Sequence, residues 1–97
     1  MKKDLVLKYK EIKDTIKYYQ QDIIDTEKIL NDPKIDYVTK KEYQNDLILD
    51  RREIMILEEE MHNLLDFIYQ NNLTNEKKQI NAIIQEEKKE KVKKIVL

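Results

Sequence analysis

The sequence predicts an all-α protein: a long, coiled-coil-like antiparallel helical hairpin with a shorter third helix, closed as a three-helix bundle or as part of a dimeric helical bundle. Three observations carry this. The 97 residues include no glycine and one proline, Pro33, while 40% are charged; with so few breakers the chain has few places to turn. Apolar residues recur with alternating spacings of four and three over two long stretches, the signature of a heptad seam. Two short segments, near 31–38 and 71–75, interrupt that pattern and divide the chain into three helices. A chain of this length makes one small helical domain, 1–97.

The first helix is predicted over 3–31. Leu5, Tyr9, Ile12, Ile16, Tyr19, Ile23, Thr26 and Leu30 form its seam, and the positions between are mostly Lys, Asp, Glu and Gln. At 1.5 Å per residue this stripe is about 40 Å long. Pro33 ends the helix, because it lacks an N–H and disfavours helical backbone at Asp32. After the loop, Thr39 and Glu42 have the spacing of a capping box, and Val38 and Tyr43 that of a hydrophobic staple.

The second helix is predicted over 40–70. Its seam is Tyr43, Leu47, Asp50, Ile54, Leu57, Met61, Leu64 and Ile68. A short connection makes the two helices antiparallel neighbours. Folding at 32–38 then sets Leu30 near Tyr43, Tyr19 near Ile54, Ile12 near Met61 and Leu5 near Ile68. Asp50 is the one charged residue in the seams, and it falls near Ile23 and Thr26. A carboxylate there is costly unless hydrogen-bonded, so it is expected to bond Thr26 or the Tyr19 hydroxyl, or to sit at a wet rim.

The third helix is predicted over 75–91, with Thr74 or Asn75 as N-cap and Glu76 favoured in its first turn. Only Ile80, Ile83 and Ile84 give it an apolar face before the polar run from Gln85 to Lys91. That run is held helical by Glu87–Lys91 and Glu90–Lys94 pairs, or else the tail 85–97 frays. Val92, Ile95, Val96 and Leu97 form an apolar end that either docks on the body or binds a partner.

Net charge is −1, which argues against nucleic acid or an anionic membrane as a general partner. The balance hides a division. Residues 1–20 carry six lysines against three carboxylates, and 71–97 seven lysines against four, while 21–70 carry thirteen carboxylates against six cations. Neighbouring helices therefore neutralise one another. There is no cysteine, hence no disulfide or thiolate chemistry. No apolar run approaches the ~20 residues of a membrane span, and the early run Leu5–Leu7 is too short for a signal-peptide core; the expected location is the cytoplasm.

No catalytic, nucleotide or cofactor signature is present, and a non-enzymatic role is expected. Glu59 and His62 have the Glu-x-x-His spacing of dimetal bundles. Such sites need two such pairs and two more carboxylates, and this chain has one His, so no metal is expected. Arg51 and Arg52, the only arginines, point apart on a helix and make a poor pocket for an anionic substrate; they are expected to pair with Asp46, Glu58 or Glu59, or to anchor an interface.

The second helix also carries a second apolar stripe. Ile48, Met55, His62 and Tyr69 recur every seven residues, about 100° from the seam, with Leu49 and Ile56 beside them. The third helix has two turns of apolar face, enough to cover the end near Leu65 and Tyr69 but not the region of Ile48 to Ile56. The expected function is therefore protein–protein interaction by helix docking, with a protein partner or a second copy, as a regulator, inhibitor or assembly factor. The expected contact residues are Ile48, Leu49, Arg52, Met55 and Ile56. The alternative is a nucleic-acid-associated regulator using Lys2, Lys3, Lys8, Lys10, Lys13 and Lys17 with Tyr9 and Tyr18.

Overall fold

A computed structural model describes the backbone of residues 4–95 and the side chains of 4–89. It contains three helices and, among the described residues, no strand: α1 (Leu5–Leu30), α2 (Tyr37–Gln70) and α3 (Thr74–Ile95). α1 and α2 form the predicted hairpin, and α3 returns along its open end. Lys2, Lys3 and the side chains of the apolar tail lie outside the described residues, as do those of Glu90, Lys91 and Lys94.

The heptad pattern is what pairs α1 with α2. Every one of the sixteen predicted seam residues is buried or half-buried, so the seam is continuous from Leu5/Ile68 to Leu30/Tyr43. The core is nevertheless uneven. Val6, Tyr9, Ile12 and Ile16 of α1, Leu64 and Ile68 of α2, and Ile80 of α3 form one buried cluster, with Leu73, Ile83 and Ile84 packed against it. Burial of one such side chain stabilises the fold by about 1.5–3 kcal/mol. The core cluster does not extend past Ile16 of α1, and in the rest of the hairpin Thr26 and Leu47 are the buried residues.

The helix ends use acidic caps and asparagine in place of the missing glycines. Asp4 accepts the N–H groups of Val6 and Leu7, both at 3.1 Å, and so satisfies two of the unpaired donors of the first turn of α1. α2 starts two residues before the predicted Thr39 cap. Asp36 is the N-cap, accepting the Thr39 N–H at 2.7 Å, and these hydrogen bonds hold its carboxyl below the usual range. Asp36-x-x-Thr39 thus replaces the Thr39–Glu42 box. Val38, the predicted staple residue, lies inside the first turn and is exposed.

The α2–α3 corner is a Schellman turn. Leu73 N–H donates to Ile68 C=O at 3.1 Å and Asn72 N–H to Tyr69 C=O at 3.2 Å. Asn72 supplies the left-handed residue, with φ of 50°; Asn tolerates this better than other non-glycine residues. Leu73 then packs on the core beside Ile68, the apolar contact that accompanies this motif. The turn aims α3 back along α1. α3 stays helical to Ile95, through the run where fraying was the alternative.

Candidate functional site

α3 decides which part of α2 is covered. Its three isoleucines reach only the end of the hairpin that holds Val6, Tyr9, Leu64 and Ile68. Leu65 becomes half-buried there. Tyr69 remains exposed on one side, with the Lys77 ammonium 4.9 Å from its ring centroid, a cation–π contact from the first turn of α3.

Further along α2, Ile48 and Leu49 are each 54% exposed, Met55 70% and Ile56 46%. These four sit at i−4, i−3, i+3 and i+4 from Arg52, so they surround it on the helix surface. Arg52 is itself exposed and makes no ion pair among the described residues. The structure thus brings the five predicted contact residues onto one solvent-facing patch, on the side of α2 turned away from α1. Exposed apolar residues scattered singly are ordinary; four around one guanidinium form a continuous surface.

Arg51 is used differently from the expectation. Its guanidinium reaches Glu27 of α1 at 3.4 Å, across the hairpin, instead of Asp46, Glu58 or Glu59 on its own helix. Both partners are solvent-exposed, so the pair stabilises little. Ile24, one turn before Glu27, is also exposed. Sequence reasoning did not single out Ile24, which lies about 100° from its seam neighbour Ile23.

Asp50 bonds neither Thr26 nor the Tyr19 hydroxyl. It lies against Asp22 of α1, one residue from the expected Ile23, and its Oδ2 is buried with no hydrogen-bond partner among the described residues. Burial, then Asp22, then the charge of Asp46, push its carboxyl up to about 6. The helical positions of Asp22 and Asp46 put this acidic group on the opposite side of the hairpin from the Glu27–Arg51 pair.

The predicted lysine stripe is partly spent within the chain. Glu87 of α3 lies 2.6 Å from Lys13 and 3.7 Å from Lys17, and the Lys13 ammonium sits 5.4 Å from the Tyr9 ring centroid. Burial opposes charge at both Lys13 and Glu87, yet the pairing outweighs it, so Lys13 is raised and Glu87 lowered from their ordinary values. Lys10, Lys13, Asp14, Lys17, Ile83, Glu86 and Glu87 line a shallow cleft of about 240 Å³. Three carboxylates among its lining residues weaken any field that would attract phosphate.

Glu59 and His62 do not converge on further ligands. His62 Nε2 is 3.3 Å from Asp66 Oδ2, both exposed, and no group of three potential ligands is found among the described residues. No helix among those residues is long and apolar enough to cross a membrane. In comparisons with protein-family models, curated proteins and solved structures, nothing matches this chain.

Proposed function

We propose that this protein is a small, non-enzymatic interaction module that works by helix docking, as a regulator, inhibitor or assembly factor. One observation supports this above the others: Ile48, Leu49, Met55 and Ile56 surround Arg52 on a face of α2 that neither α1 nor α3 covers. Burying such a patch releases water from apolar surface, and a centrally placed Arg supplies direction and specificity. α2 is continuously helical through this face, so the docking surface is already formed before a partner arrives, which lowers the entropic cost of binding.

The test uses the full chain as bait in extracts of its native host, beside the double variant Ile48→Glu, Met55→Glu. Both positions are exposed, so circular dichroism of the variant should match the wild type. The expected result is a protein, either another chain or untagged copies of this one, that the wild type retains and the variant loses. Identical retention by both baits at equal helicity overturns the proposal.

A further inference from the structure

We infer that the occupant of this α2 face is a second copy of the chain, paired antiparallel through α2 about a two-fold axis between Met55 and Ile56. This rests on the docking reading above and adds the partner. A two-fold interface must be complementary to itself, and the face meets that demand. Arg52 and Glu59 are seven residues apart, at one heptad position, and both are exposed. Met55 and Ile56 lie midway between them. A two-fold axis at that midpoint carries each Arg52 to the level of the other copy's Glu59, so the pairing forms twice. It also sets Met55 of each copy against Ile56 of the other.

Neither Arg52 nor Glu59 makes an ion pair among the described residues, whereas the neighbouring Arg51 is held by Glu27. Of the other polar positions on the stripe, Asn45 comes level with Asp66, His62 with Leu49 and Asn63 with Ile48, so no like charges meet there. Glu53 and Glu58, which also come level, lie on the flanks of α2 nearer α1. A net charge of −1 per chain adds little repulsion. The contact from Asn45 to Asp66 is about 30 Å long at the helical rise. One helix pair of that length falls at or below the ~800 Å² per partner of standard interfaces, so the dimer is expected to be weak, with dissociation at micromolar concentration.

Sedimentation velocity of the full chain, from micromolar to millimolar concentration, reads the inference directly. The wild type should pass from monomer to dimer across that range. Arg52→Glu should weaken the dimer about tenfold or more, and Arg52→Glu with Glu59→Arg should recover most of it, as expected for a facing charge pair. Ile48→Glu with Met55→Glu should remain monomeric and helical. A wild type that is monomeric throughout overturns the inference. So does a dimer indifferent to Arg52→Glu, or one that the charge-swapped pair fails to restore. If the chain is monomeric while the wild-type bait still captures another protein that the double variant loses, the second copy is ruled out and the docking module stands. If neither association is seen, both readings fall.

Discussion

Asp50 of α2, the one charged residue of the seam, rests against Asp22 of α1 with one carboxylate oxygen buried and unpartnered. Two ionised carboxylates so placed repel each other, and a proton on Asp50 allows a hydrogen bond to Asp22 instead. Asp46, one turn earlier on α2, adds a third negative charge. The pair is therefore a local cost carried by the part of the hairpin outside the main core cluster.

The sign of its pH dependence follows. The folded-state carboxyl of Asp50 stands at about 6, above the ordinary 3.8, so the folded protein binds the proton more tightly than the unfolded chain. Its contribution should favour folding most at low pH and decline as pH rises from about 4 to 6. Asp50→Asn should raise stability at neutral pH by about 1 kcal/mol, reduced from the full shift by partial exposure. It should also flatten this part of the profile. Urea melts at pH 4.5 and pH 7.5 of both proteins provide the check; a variant less stable than wild type at pH 7.5 contradicts it.

The Glu87 contact has the opposite sign. Its carboxyl is lowered by Lys13 and Lys17, so the stabilisation is present above the ordinary carboxylate pKa and disappears as pH falls through the lowered folded value. Glu87→Gln should loosen α3 from α1 by about 1 kcal/mol or less, since the pair is partly exposed. Amide exchange in α3 should speed up, while exchange in the buried seam of α1 and α2 should change little.

Ile80 is the only residue of α3 that is fully buried among those described, at 2% exposure. Ile80→Ala should cost about 2–4 kcal/mol, enough to undock α3 in a domain of this size. The readout is the thermal midpoint together with amide exchange in α3. A drop in the midpoint of only a degree or two would show that α3 contributes little to the core.

Asn72 holds the left-handed corner before α3. Asn72→Gly should be neutral or stabilising by a few tenths of a kcal/mol, and Asn72→Ala should destabilise by about 1 kcal/mol, because a Cβ is disfavoured at positive φ. Chemical denaturation of the two variants side by side separates this backbone effect from any loss of side-chain contact.

Much of this was legible in the chain. The four-three spacing named all sixteen seam residues, and it named Asp50 as the defect. The α2 patch was legible too, since Ile48, Leu49, Met55 and Ile56 are all offset from the seam by the same helical geometry that defines it. The helix starts were less so. Thr39 and Glu42 satisfied a capping pattern, but Asp36, a stronger N-cap three residues earlier, took the role because nothing prevents one more helical turn after the loop.

Helical periodicity is a local property. It determined by itself the three helices, their apolar faces and the pairing of the first two. The partners of individual charges depend on which helices lie side by side and at what distance, and only the tertiary structure decided those. It set Arg51 on Glu27, Asp50 on Asp22, and Glu87 between Lys13 and Lys17. The position of α3 was decided the same way: the left-handed turn at Asn72 sends it along the α1 end of the hairpin, where three isoleucines can be buried. That leaves the face around Arg52 open.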